Sequence, residues 1–173
     1  MKKSTIILIV IAVVAVIWGV SAYNGLVTMD ENVNTEWANV ETQYQRRADL
    51  IPNLVNTVKG YAAHESETLE SVIAARSKAT QITVDPSNLT PEKLAEYQEA
   101  QGAVTSALGK LLAISESYPD LKANQNFLEL QAQLEGTENR INEARRKFNN
   151  VAKEYNTAIR RFPKSILAGM FGF

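Results

Sequence analysis

The residues best equipped for chemistry in this 173-residue chain sit together at Arg46, Arg47 and Asp49, just before Pro52. Two adjacent guanidiniums suit an anion such as phosphate or carboxylate. Other chemistries have less to draw on. There is no cysteine, hence no thiolate nucleophile, disulfide or thiolate metal site. His64 is the single histidine, and a di-iron bundle needs two Glu-x-x-His motifs. Not even one is present, because position 61 is tyrosine. No HExxH, phosphate-binding glycine loop or GxSxG occurs. Acid–base catalysis would have to come from carboxylates alone. We therefore expect no catalytic residue, metal ligand or cofactor and no enzyme, with His64 at the surface or capping a helix boundary. A formal net charge of -1 speaks against a nucleic-acid partner.

The pattern around the arginines is helical. Val33, Trp37, Val40, Tyr44, Arg47, Ile51, Leu54, Val58 and Tyr61 alternate steps of four and three, the spacing of a coiled-coil seam. Arg47 is its one non-apolar member, whereas Arg46 falls off it. Pro52 lies inside the run and cannot donate to the Ala48 carbonyl, yet the phase holds on both sides. A kinked but continuous helix is expected, with a boundary near Ala63 to Ser66. Besides the anion-binding reading, Arg47 has a structural one. It would reach from the seam to a carboxylate on the last long helix, Glu138 or Glu143, near the small Ala144.

The elements that must position these residues are all helices. A second stripe runs through Leu69, Val72, Arg76 and Ala79, and ITVDPSNLTPEKL is the clear loop. Its sequon, Asn88-Leu89-Thr90, reads as loop and helix cap. Thr90, Pro91 and Glu92 suit the N-cap, first position and dipole-facing first turn of a third helix. That helix carries Leu94, Tyr97, Val104, Leu108, Leu111 and Tyr118 and ends at Pro119, with Asp120 as cap of the fourth. The fourth is the most regular, from Phe127, Leu130, Leu134, Thr137, Ile141, Ala144 and Phe148 through Val151, Tyr155, Ala158 and Phe162. The third also bears Gly102, Ser106, Gly109 and Ala113. This small-residue stripe is expected to pack within the bundle or form an oligomer interface, with unfolding by bulky residues at Gly109 as the sign of the former.

Residues 4–22 carry no charge and would span roughly 28 Å as a helix, close to a bilayer core. Val20-Ser21-Ala22 also resembles a signal-peptidase site; we favour an uncleaved anchor. Lys2 and Lys3 precede the span and no basic residue follows before Arg46, which keeps the N-terminus inside and exports the body. The expected layout is a basic N-terminus (1–3), a transmembrane anchor (4–22), an elongated antiparallel four-helix bundle with coiled-coil-like packing (23–164), and an apolar tail (165–173). Charge is uneven: residues 23–139 hold 8 Lys/Arg against 17 Asp/Glu, and residues 140–164 hold 8 against 2. Arg160, Arg161 and Lys164 followed by Ile166, Leu167, Met170, Phe171 and Phe173 suit contact with anionic lipid or a partner, while docking onto the bundle end is the plainer use.

The blocks YNGLV (23–27), EW (36–37), RRADLIPNLVNTVKGYAAHE (46–65), YPDLKANQNF (118–127), AR (144–145), YN (155–156) and FP with LAGMFGF resemble the LemA family over nearly the whole chain. The matching positions include Trp37, Arg46, Arg47, Asp49, Pro52 and Asn53. They continue with Tyr118, Pro119, Lys122 and Asn124, then Arg145, Tyr155 and Asn156. The resemblance implies a membrane-anchored four-helix protein of bacteria, in a family described with its short N-terminus outside the cell, opposite to the lysine reading here. Expected, then, is a non-catalytic scaffold or assembly protein of the bacterial envelope, in the cytoplasmic membrane. It would self-associate or contact membrane lipid. The alternative is an accessory or anion-sensing module for a membrane protein partner.

Overall fold

A computed structural model describes residues 3–84 and 90–173. The described residues form six helices and no strand: α1 (Lys3–Lys59), α2 (Ser66–Gln81), α3 (Pro91–Ser115), α4 (Pro119–Lys122), α5 (Gln125–Arg160) and α6 (Lys164–Phe171). Asp85-Pro86, Asn88 and Leu89 of the expected loop and sequon lie outside the described residues.

The anchor and the first seam belong to one helix. α1 runs for 57 residues without interruption, through Pro52. It is long and apolar enough at its N-terminal end to cross a membrane, and its residues from Ile6 to Val20 are largely exposed. The chain divides into two compact units, one of residues up to Glu36 with Arg146–Phe173, the other of Trp37–Arg145. α1 and α5 each contribute to both.

In the Trp37–Arg145 unit the α1 seam is buried from Trp37 to Val58, Arg47 included. Ile51, Leu54 and Val58 share a core with Leu69 and Val72 of α2, Val104, Leu108 and Leu111 of α3, Leu121 of α4, and Phe127 and Leu134 of α5. Burying each such side chain contributes about 1.5–3 kcal/mol. Thr90 caps α3 by accepting from the Lys93 amide, Pro91 takes the first helical position, and Glu92 lies in the first turn.

Four sequence expectations need correction. Tyr61 is 43% exposed, because α1 ends at Lys59 and the seam's last step falls in the turn before α2. Phe162, placed on the α5 seam, is 81% exposed; the helix stops at Arg160, ahead of Pro163. Asp120 does not cap the long final helix. A turn at 116–118 and the four-residue α4 intervene, and the Asn124 side-chain oxygen accepts from the Phe127 amide at 2.9 Å instead. The stripe Gly102, Ser106, Gly109 and Ala113 does not pack inside this fold. All four are exposed, and a methyl group added at Gly102 or Gly109 would meet nothing within 4 Å. At about 100° per residue the stripe runs opposite the buried line of α3.

In the other unit, Ala22 and Leu26 of α1, Phe148 of α5 and Ala168 of α6 are buried. The tail folds back onto α1: the Tyr23 ring meets those of Phe171 and Phe173 edge-on, at 4.9 and 5.6 Å between centroids.

Candidate functional site

Arg47 is 1% exposed, so its charge must be met inside the protein. Nη1 donates to Thr105 Oγ1 at 2.7 Å and to Glu138 Oε1 at 2.8 Å. Nη2 donates to the Gln101 carbonyl at 2.9 Å and to the Gln101 Oε1 at 2.7 Å. The Tyr44 ring lies 5.1 Å below the guanidinium carbon. Of the two carboxylates named from the sequence, Glu138 is the one that pairs with it. One planar, permanently charged group thus joins α1 to α3 and α5, which suits the rigid donor fork of arginine rather than lysine.

Pro52 leaves a carbonyl one turn back without its usual amide partner. The Arg76 Nε of α2 donates to that Ala48 carbonyl at 2.7 Å. The proline is therefore accommodated by a tertiary bond, and the second stripe's one charged member is what provides it.

Aromatic side chains complete the cluster. Tyr97 of α3 stacks obliquely on Trp37 at 5.4 Å and edge-on to Tyr44 at 5.5 Å. Burial first, then nearby Glu41 and Tyr44, pushes the Tyr97 phenol far above its ordinary range. Burial also raises Tyr44, against the pull of Arg145 and Arg47. Burial raises the Glu41 carboxyl from its ordinary value, while the Trp37 indole favours its charged form. Beside the cluster opens a cleft of about 670 Å³ lined by Arg46, Asp49, Arg76 and Thr80 among others. Arg46 and Asp49 are exposed there, and Asp49 accepts from Gln45 Nε2 at 2.7 Å.

The second motif block ties the turns. Tyr118 donates to Glu65 Oε1 at 3.1 Å, and that bond holds its phenolic proton and raises its pKa. Asn124, besides capping α5, donates from Nδ2 to the Tyr61 hydroxyl at 2.8 Å. Pro119 opens α4, and Lys122 pairs with Glu116 at the surface. Asn53 is exposed, and its carbonyl accepts from the Thr57 hydroxyl. In the unit with α6, Tyr155 hydrogen-bonds Asp30, and burial together with that carboxylate raises its phenol; Asn156 is exposed. His64 is exposed in the turn after α1.

Sequence reasoning missed Gln101, Thr105 and Arg76 as partners. Gln101 was within reach: Leu94, Tyr97, Gln101, Val104, Leu108, Leu111, Ser115 and Tyr118 keep an unbroken three-four alternation, and Gln101 and Ser115 are both buried. A polar residue at a seam position is the signal, as it was for Arg47.

Among the described residues, what these contacts define is an all-helical protein with one apolar helix able to span a membrane and a body held by buried polar ties. Residues 36–173 match the LemA family, and the chain belongs to that family. The matched span begins after the anchor and after YNGLV. Magnetosome protein MamQ of Magnetospirillum gryphiswaldense is 30% identical over 87% of this chain, which spans 62% of that protein's length. Magnetosome protein MamQ 2 of Paramagnetospirillum magneticum is 28% identical over 96% of this chain and 69% of its own. Protein LemA of Metamycoplasma hominis is 28% identical over 71% of this chain and 52% of its own.

Proposed function

We propose that this chain is a non-catalytic, membrane-anchored helical scaffold or assembly protein of the bacterial envelope. Residues 4–22 are its single-pass anchor in the cytoplasmic membrane. Residues 23–164 form an antiparallel four-helix bundle with coiled-coil-like packing outside the cytoplasm, and 165–173 are an apolar tail that meets the membrane. The observation that carries this is α1 itself, a single 57-residue helix bearing both the apolar span and the buried seam centred on Arg47. Membership of the LemA family and the similarity to magnetosome proteins support a membrane-associated role without catalysis. Arg47 supports it too, since both terminal nitrogens of the group best suited to an anion already donate twice to the protein.

The test is full-length protein extracted from membranes. Resistance to alkaline carbonate and a large particle in detergent sizing are expected. Release by carbonate contradicts the anchor, and a monomer captured with another membrane protein favours the accessory reading. Protease digestion of the body in intact spheroplasts decides topology; protection would reverse the orientation set by Lys2 and Lys3.

The anion-sensing alternative now rests on Arg46 and Arg76, which share the 670 Å³ cleft. Phosphate protecting that cleft from hydrogen exchange would favour it.

A further inference from the structure

A second cleft, of about 690 Å³, lies in the unit formed by the start of α1 and the end of α5. Trp18 and Met29 supply one wall, and Lys153, Arg161, Phe162 and Lys164 the other, with Glu154 the one carboxylate lining it. Three cations face one anion in this cleft. Among the described residues none of the three cationic side chains has a hydrogen bond or ion pair, in contrast to Arg47.

The depth of the cleft is fixed by its α1 wall. Trp18 belongs to the last turns of the uncharged segment, and indole rings favour the level where acyl chains meet headgroups. A separate apolar groove of about 320 Å³ sets the level of α6: Leu167 and Phe171 line it together with Val16, Gly19, Val20 and Tyr23, and the Tyr23 ring meets that of Phe171. At that level Phe162, Ile166, Met170 and Phe171 expose 81, 54, 72 and 58% of their surface, more than a solvated tail would ordinarily leave uncovered. Acyl chains covering these side chains would place the three cations among the phosphates. We infer that the cleft binds the headgroup of an anionic phospholipid, its phosphate held by Lys153, Arg161 and Lys164 against the Trp18 indole.

The inference deepens the membrane reading above and rests on residues 4–22 lying in the bilayer. Full-length protein in nanodiscs tests it through Trp18 fluorescence; Trp37, at 2% exposure, is shielded by the protein. Bromine-labelled phosphatidylglycerol and bromine-labelled phosphatidylcholine are compared as quenchers at equal mole fraction. Phosphatidylglycerol should quench preferentially, by at least about fivefold, the ratio that corresponds to roughly 1 kcal/mol from a single basic residue at an anionic surface. Substituting Lys153→Gln, Arg161→Gln and Lys164→Gln together should bring the two lipids to parity, and Arg161→Lys should keep the preference. Unchanged far-ultraviolet circular dichroism certifies that the triple variant is folded. Equal quenching in the unsubstituted protein, or a preference surviving the triple substitution, overturns the headgroup site and leaves the anchor intact. Loss of the preference on adding inorganic phosphate also overturns it, in favour of a small-anion site. No quenching by either lipid would refute the anchor itself.

Discussion

Arg47 and the cations at the end of α5 are the same chemistry put to opposite ends. Arg47 is 1% exposed and donates four hydrogen bonds into α3 and α5. Arg161 is exposed beside an 81%-exposed phenylalanine, without an ion pair among the described residues. A charge whose terminal nitrogens each already donate twice inside the fold has little left for a ligand, and removing it strands its partners. A charge with free donors costs the fold little and is available to whatever lies outside. Partner saturation, rather than residue type, separates the two roles.

The largest effect that can break this contrast belongs to Arg47→Ala. It empties a buried site and takes the Arg47 donor from the Gln101 side-chain oxygen, while the Gln101 carbonyl keeps Thr105 Oγ1. Unfolding in urea should therefore show a loss of about 3–5 kcal/mol from the cavity and the lost bonds together. Arg47→Leu refills the seam with apolar bulk and should fold with an intermediate loss, because Glu138 is 31% exposed and can hydrate. A loss under about 1 kcal/mol for both would mean the cluster is not a stabilising tie.

Arg76→Ala should cost about 1–3 kcal/mol by orphaning the Ala48 carbonyl. Pro52→Ala restores an amide one turn ahead of that carbonyl, so in the double variant it should recover much of the loss. A double-mutant cycle measures this, and strict additivity would show that Arg76 does not compensate for the proline.

Glu41→Gln is smaller and depends on pH. The folded pKa of Glu41 is raised, so its carboxyl is favoured protonated and the ionised form costs stability as pH rises from the ordinary value of 4.5 through the folded one. The glutamine variant should therefore match or exceed the parent at neutral pH and lose that advantage below 4.5. A variant less stable at pH 7 than at pH 4, relative to the parent, contradicts the sign. Smallest is Gly109→Leu, which should not lower stability, since the site is open and leucine is the better helix former by up to about 1 kcal/mol. Sizing of that variant then reports on α3 as a contact between copies, undisturbed by unfolding.

The sequence carried the α1 and α5 seams, the Thr90 cap and Glu138 as one of two partners, because periodicity and capping are local properties. Arg47 was legible as a lone charge in an apolar line. Gln101 was hidden because a glutamine carries no apolar signal, although its spacing is that of the seam. The Arg76 bond to Ala48 depends on where α2 comes to lie against α1, which no spacing within either helix states. The small-residue stripe misled because glycine and alanine carry too little hydropathy to say which face is buried. Asn124 displaced Asp120 as cap because Tyr118 and Pro119 open a separate short turn, and both residues are equally good caps by type.

The contrast is tested most directly by measuring urea stability and lipid preference side by side on Arg47→Leu and on the Lys153→Gln, Arg161→Gln, Lys164→Gln triple variant. Arg47→Leu should lower stability and keep the phosphatidylglycerol preference of Trp18 quenching. The triple variant should keep stability and lose the preference. If Arg47→Leu abolishes the preference at unchanged stability, or the triple variant unfolds the body with the preference intact, the division between paired and available charge is wrong.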